Sequence, residues 1–270
     1  MIKPKVCLTI AGLDPSGGAG IIADIKTFSA FGCYATAAIA SITFQNTTGV
    51  FGAVHQTAET IRGQVEPVLR DFSVAAVKTG MLPTREVIEE TARLIQWKDL
   101  INIVVDPVVR STSGFDLIDD VALTALIELL FPISSVVTPN IQEAERITGM
   151  SIRTEEDIVN AATLIRSMGA DNVLIKGGHF EAETISRQKA RDYLFTAEGR
   201  KVFDADYIDT NSTHGTGCTL AAAIAANLAL GKELIEAVSI SKSFVNEAIR
   251  TAPRLGSGHS PINISSKFTE

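Results

Sequence analysis

Along the chain, short apolar runs rich in Val and Ile alternate with longer stretches whose apolar residues recur every three or four positions. Residues 6–11 form a continuous apolar run closed by Gly12, as expected of a strand buried on both faces. Residues 17–31 then carry Ile21, Ile25 and Phe28 at i, i+4 and i+7 and stop at Gly32, which predicts a helix. A second strand is predicted over 34–44, a short one over 75–78 between helices at 57–72 and 84–97, and another over 101–106, where Ile and Val end at Asp106-Pro107. Farther on, helices at 121–131, 141–148 and 155–168 alternate with strands at 135–138 and 173–176. Residues 192–195 and 201–208 read as an antiparallel pair around Glu198-Gly199, and Gly231 divides two closing helices, 216–230 and 233–250. This alternation indicates a mostly parallel sheet covered on both faces. No Pro/Ser-rich linker, repeat or low-complexity tract interrupts it, so residues 1–270 are expected to form one α/β domain, a three-layer α/β/α sandwich. In such sheets ligands bind beyond the carboxyl ends of the strands, so the residues just after each strand are the ones to read.

Composition narrows the class. A chain of 270 residues suits one large α/β domain, and 46% hydrophobic against 20% charged residues excludes a disordered or fibrous protein. Lys and Arg number 24 against 31 Asp and Glu, a formal charge of −7, so nothing favours nucleic acid or an anionic membrane as a partner. A phosphate site would have to concentrate positive potential locally against that background. The longest weakly polar run, 219–231, is too short for a bilayer and contains Asn227. Cys7, Cys33 and Cys218 are too few and too scattered for a disulfide framework or a zinc site. The opening Met-Ile-Lys-Pro-Lys-Val lacks the apolar stretch of a signal peptide, and a reduced, cytoplasmic protein is expected.

Two glycine-rich loops join predicted strands to helices. The first spans 12–20 and lacks the Gly-Lys-[Ser/Thr] of a Walker A loop. It contains Gly18-Ala19-Gly20-Ile21-Ile22-Ala23, which fits the permissive dinucleotide fingerprint, but that reading needs an acidic residue at the end of the next strand, where Gln45 stands. The second loop, 211–218, precedes an Ala-rich helix. Its glycines free successive backbone N–H groups to point inward at a helix N-terminus, an arrangement that stabilises charge on a transferring phosphoryl group. Cys218 lies in the first turn, where the same dipole would lower a thiol pKa, or it is a small buried Cys in a tightly packed helix. His214 is a base or merely a loop residue. Asn140 and Glu143, three apart at a helix start, could face a hydrated cation or could form a capping box. Asp106 ends one strand and Lys176, in Lys176-Gly177-Gly178-His179, ends another, where its ammonium could meet a phosphate. No H-E-x-x-H, C-x-x-C or G-x-S-x-G occurs, which counts against a zinc enzyme and an α/β-hydrolase.

Taken together, Ala-Gly-x-Asp-x-Ser-Gly-Gly-Ala-Gly at 11–20, Lys78-Thr79-Gly80-Met81-Leu82, Asp106-Pro107-Val108, Thr138-Pro139-Asn140-x-x-Glu143, Lys176-Gly177-Gly178-His179 and His214-Gly215-Thr216-Gly217-Cys218 resemble the hydroxymethylpyrimidine/phosphomethylpyrimidine kinases of thiamine biosynthesis, a branch of the ribokinase-like superfamily. The resemblance implies an ATP- and Mg²⁺-dependent kinase that phosphorylates 4-amino-5-hydroxymethyl-2-methylpyrimidine and then its monophosphate, and a homodimer. It implies that Gly12, Ala19, Asp24, Gln45, Met81 and Val108 line the pyrimidine pocket. Asn140, Glu143, Lys176, Thr213 and Lys242 would surround ATP, Asp106 and Glu143 would approach magnesium through water or phosphate, and Gly215, Gly217 and Cys218 would form the anion hole and catalytic centre. Sugar kinases of the superfamily have an Asp base where Cys218 stands, so a thiolate of depressed pKa could serve, or Cys218 only positions and shields. The tail 256–261 resembles the family's closing loop near the nucleotide.

Some pyridoxal kinases of this superfamily share the glycine loop and the Cys, so a pyridoxal/pyridoxine kinase, or dual activity, is the alternative reading. The amide of Gln45 offers an acceptor beside donors, matching an aminopyrimidine's exocyclic amine and adjacent ring nitrogen, a pair that a pyridoxal ring lacks. Similar pyridoxal-active relatives tend to carry Met there. A non-catalytic pyrimidine sensor would keep Gln45 without the phosphate loops.

Overall fold

The computed structural model describes residues 3–109, 117–177 and 189–265. Nine strands form one sheet: β1 (Val6–Leu13), β2 (Tyr34–Asn46), β3 (Gly49–His55), β4 (Val74–Thr79), β5 (Ile103–Val105), β6 (Val136–Val137), β7 (Val173–Lys176), β8 (Lys189–Thr196) and β9 (Gly199–Asp206). Their spatial order is β3-β2-β1-β4-β5-β6-β7-β8-β9. From β2 to β7 neighbouring strands are parallel, whereas β3, β8 and β9 join through antiparallel pairings. The helices are α1 (Gly20–Ala30), α2 (Ala58–Asp71), α3 (Arg85–Trp97), α4 (Asp120–Leu129), α5 (Ile141–Thr148), α6 (Glu155–Ser167), α7 (Thr216–Ala229) and α8 (Leu234–Arg250). No helix among the described residues is long and apolar enough to cross a membrane.

Two apolar layers sandwich the sheet, as the alternating pattern requires. One face packs Leu8, Ile10, Val77, Val105 and Val137 against α2 to α6, and the opposite face packs Cys7, Ala76, Val104 and Val136 against α7 and α8. Alternate residues of each strand therefore serve opposite cores. The Ala-rich helix α7 is buried from Thr219 to Ala229, because small side chains let it lie close to the sheet while α1 and α8 cover it.

The hairpin strand β3 is absent from the periodicity-based reading. Its sequence, Gly-Val-Phe-Gly-Ala-Val-His, mixes glycine with exposed apolar residues, and Phe51 is 69% exposed, so no half-buried alternation marks it. Its pairing also extends β2 through Asn46, past the expected end at 44. Helix α1 starts at Gly20, not residue 17, because Asp14 holds residues 16–19 in a turn that accepts their N–H groups. Ile25 of the predicted stripe is 37% exposed, while Ile21 and Phe28 are buried.

Candidate active site

The carboxyl ends of β1, β2, β4, β5, β6 and β7 and the start of α7 surround one cleft of about 1370 Å³. Such a volume holds two small molecules side by side.

At one end the two glycine loops interlock. Asp14 is nearly sealed from solvent and its carboxylate accepts the N–H groups of Ser16 (2.8 Å), Gly18 (3.2 Å) and Ala19 (2.9 Å), with the Ser16 hydroxyl at 2.7 Å. Its fifth partner comes from the second loop: His214 Nε2 at 2.7 Å from Oδ2. Burial works against the Asp14 charge, but the bonds from His214 and Ser16 outweigh it and hold the carboxyl below its usual range. A Cβ at Gly215, where φ is +85°, would fall on the Gly18 carbonyl oxygen, so only glycine permits the contact. Beside this clasp, Gln45 accepts from Thr43 Oγ1 at 3.1 Å, and its Nε2 lies 3.5 Å from His214 Nε2.

In the middle of the cleft α7 begins at Gly215 without a side-chain cap. Among the described residues the N–H groups of Gly215, Gly217 and Cys218 have no recorded acceptor, and these three residues line the cleft. Free amides at a helix N-terminus form an anion site. Lys176 closes the same space: a Cβ on Gly217 would sit 3.2 Å from its Nζ. That ammonium lies 2.9 Å from Asp106 Oδ1 and 3.8 Å from Glu143 Oε2. Burial pushes the Glu143 carboxyl up to about 7, against the pull of Lys176, and repulsion from Asp106 adds to the rise. Burial also opposes the charge of Asp106, but Lys176 and Lys78 prevail and keep it ionised. Asn140 and Glu143 form a capping box: Glu143 accepts the Asn140 N–H at 2.7 Å, and the Asn140 side chain accepts the Glu143 N–H at 2.8 Å. Farther along, Lys242 pairs with Asp192 at 2.7 Å, and Asp192 also accepts the Gly177 N–H at 3.1 Å.

The phosphomethylpyrimidine kinase family profile matches residues 14–263, nearly all of this arrangement. The chain belongs to that family. This kinase is 42% identical to the hydroxymethylpyrimidine/phosphomethylpyrimidine kinase of Staphylococcus aureus (strain MSSA476), over 97% of the chain and 94% of that relative. A crystal structure of phosphomethylpyrimidine kinase from Clostridium difficile 630 is similar, with TM-score 0.79 and 42% identity, covering 91% of this chain and 99% of that one. An ADP complex of Bacillus subtilis pyridoxal kinase superposes with TM-score 0.89 at 37% identity, covering 99% and 100%. The chain is thus a phosphotransferase of a family that uses ATP, on the ribokinase-like fold.

In this kinase Gly12, Ala19, Gln45, Met81 and Val108 line the cleft toward the first loop, and Asp106, Asn140, Glu143, Lys176, Thr213, Lys242, Gly215, Gly217 and Cys218 line the remainder. Asp24 is not among them. It lies fully buried behind the cleft wall, where Oδ2 accepts from Thr9 Oγ1 at 2.6 Å and pairs with Lys78 Nζ at 2.9 Å. The expectation that Asp24 lines the pocket is therefore corrected, because helix α1 turns its side chain toward the sheet. The depressed thiol is corrected as well. Burial pushes the Cys218 thiol up to about 11, and the attraction of Lys78 and the Gly20 N–H only partly offset that. The tail 256–261 packs on Thr47, whose carbonyl accepts the His259 N–H at 2.8 Å, and on His214, whose N–H donates to the Ser260 carbonyl at 3.2 Å. It thus borders the Gln45 end of the cleft and not Asn140 and Lys176. Gly178 and His179 lie outside the described residues. Asp14, Thr43, Lys78 and Asp192 were not among the expected site residues; Asp14, as an Asp opening a Ser-Gly-Gly turn, and Lys78, as the first residue of a family-like motif, carried a signal, and Thr43 and Asp192 did not.

Proposed function

We propose that this kinase transfers the γ-phosphoryl group of ATP to the hydroxymethyl oxygen of 4-amino-5-hydroxymethyl-2-methylpyrimidine, and in a second turnover to the phosphate of that product. The reading rests on one juxtaposition. Gln45, able to pair with an amine and its neighbouring ring nitrogen, shares a cleft with Gly215, Gly217 and Cys218 at the start of α7, and His214, 3.5 Å from the Gln45 amide, directly precedes Gly215 in the chain. Gly12, Ala19, Met81 and Val108 supply the walls for a flat ring. Lys176 and the α7 amides then meet the migrating phosphoryl, whose spreading charge they stabilise before the reaction begins, so no reorganisation is needed at the transition state. Asn140, Glu143, Thr213 and Lys242 are assigned to the nucleotide, with Lys242 held in place by Asp192.

A thiol pushed up to about 11 is protonated at neutral pH, so Cys218 is assigned to shaping the anion hole, not to removing the substrate proton. A loose phosphoryl-transfer transition state asks little of a base, and in the second transfer the attacking phosphate is already anionic. Magnesium suits the oxygen donors of Asp106 and Glu143, while among the described residues no three His, Cys, Asp or Glu converge as a cage. Those two carboxylates would hold the hydrated ion, which when bound neutralises charge on the phosphate oxygens. The family resemblance also supports a cytoplasmic homodimer.

A second reading, pyridoxal phosphorylation, is favoured by the high structural similarity to pyridoxal kinases and opposed by Gln45. Incubation with Mg-ATP and each acceptor, followed by mass spectrometry, separates the two. Mono- and diphosphate from the hydroxymethylpyrimidine support the first reading; a phosphate ester from pyridoxal alone overturns it.

A further inference from the structure

The amide of Gln45 reads the acceptor ring only if its N–H groups are not consumed by the protein. Its closest nitrogen neighbour is His214 Nε2 at 3.5 Å, and a bare imidazole nitrogen there would be an acceptor within a small movement of the amide. Three observations remove that competitor. The Asp14 carboxylate, ionised and acceptor-only, is filled by N–H and O–H donors on every recorded contact, so the atom facing it at 2.7 Å on His214 must also donate. His214 Nε2 therefore carries the proton and presents no lone pair to Gln45. Gly18 leaves the room this ring position needs, because a Cβ there would clash with His214 Cδ2. At the other end of the amide, Thr43 Oγ1 lies 3.1 Å from Gln45 Oε1, its single proton shared with the Leu13 carbonyl at 2.9 Å.

We propose that Asp14 and His214 are specificity-determining positioning residues: by committing the His214 Nε2 proton to Asp14, they reserve the Gln45 amide for a ring that offers an acceptor beside an amine. Neither residue needs to touch the reacting atoms. The same contact ties the loop that borders the ring to the loop that begins the anion hole, so acceptor recognition and phosphoryl placement share one support. The inference rests on the pyrimidine reading of the site, and it makes a claim about Asp14 and His214 that the reading alone does not.

The test compares kcat/KM for the hydroxymethylpyrimidine with that for pyridoxal, with the KM for ATP as a check on the remainder of the cleft. Asp14→Ala frees His214 to present a lone pair to Gln45, and the pyrimidine-to-pyridoxal ratio is expected to fall about tenfold or more. His214→Phe removes donor and lone pair together and is expected to keep most of the preference. The double variant Asp14→Ala/His214→Phe is then expected to recover the preference lost in Asp14→Ala, to within about threefold of His214→Phe, with the KM for ATP changed less than about threefold throughout. An equal loss in Asp14→Ala and the double variant would make Asp14 a scaffold for its loop and overturn the proposal. If Asp14→Ala does not fold, the wild-type enzyme labelled with ¹⁵N-histidine decides: a proton bound to His214 Nε2 supports the proposal, and a bare Nε2 overturns it. Wild-type enzyme that forms no pyrimidine phosphate would overturn the proposed function instead, a result the nitrogen spectrum would leave untouched.

Discussion

Two lysines lie toward the carboxyl ends of β4 and β7, and both meet buried carboxylates, yet they do different work. Lys78, on β4, and Asp24 are both fully buried, one ammonium against one carboxylate at 2.9 Å, with Thr9 adding a bond to the same oxygen. Lys176, on β7, is shared between Asp106 and Glu143 and keeps 12% of its side chain open to the cleft. Burial opposes the charge of both lysines, and the neighbouring carboxylates hold both protonated. The sealed pair sets one charge against one, with both side chains fully buried. The open one faces two carboxylates, and burial, with a smaller push from Asp106, raises the Glu143 carboxyl to about 7 against the pull of Lys176. A lysine sealed against one carboxylate belongs to the fold; one shared by two and open to the cleft is prepared for a charged guest.

The comparison is broken most directly at its sealed end. Lys78→Met leaves Asp24 buried without its cation and should cost about 3–5 kcal/mol of stability, read from urea denaturation. Adding Asp24→Asn should restore a large part of that loss; no restoration would mean that the pair is not the source. At the open end, Lys176→Met should lower kcat by about 10²- to 10³-fold while shifting the denaturation midpoint far less than Lys78→Met does. Similar midpoint shifts for the two variants would erase the distinction. Gln45→Met should reduce kcat/KM for the pyrimidine by about a hundredfold and leave the KM for ATP nearly unchanged. Equal losses would show that Gln45 does not read the ring.

The smallest effect is expected at Cys218. Cys218→Ala should slow both transfers by a similar factor, about tenfold or less. The pH dependence gives an independent check. A thiolate base with a pKa near 11 would make the first transfer rise about tenfold per unit across pH 6 to 9, since only the deprotonated fraction would act. A positioning thiol gives no such rise, and a steep slope lost in Cys218→Ala would return the base role to this residue.

Helix α5 shows how much local chemistry decides. Its bounds, 141–148, match the periodic stretch, and Asn140 with Glu143 closes the capping box that their spacing allows, because capping depends only on neighbours within one turn. Strand β3 shows the opposite case, since its pairing partner, not its own pattern, makes it a strand. The same division runs through the site. Glycine spacing, strand-end acids and lysines and the Gln at the end of β2 were legible, because each follows from where parallel strands must present their loops. Whether a side chain then faced the cleft was not, as Asp24 and Cys218 show. Asp24 sits on α1 at a position that the helix rotates under the wall, and the protonation of Cys218 depends on how completely distant segments enclose it.

The order of apolar and polar residues by itself determined the layered fold and the end of the sheet at which ligands gather, since backbone periodicity and strand polarity are local properties. Only the tertiary structure decided that Asp14 and His214, 200 positions apart, share a hydrogen bond, that Lys78 is sealed while Lys176 is open, and that a thiol at a helix start remains protonated. Those outcomes depend on desolvation and on partners brought from far along the chain, and neither quantity exists until the chain has closed around them.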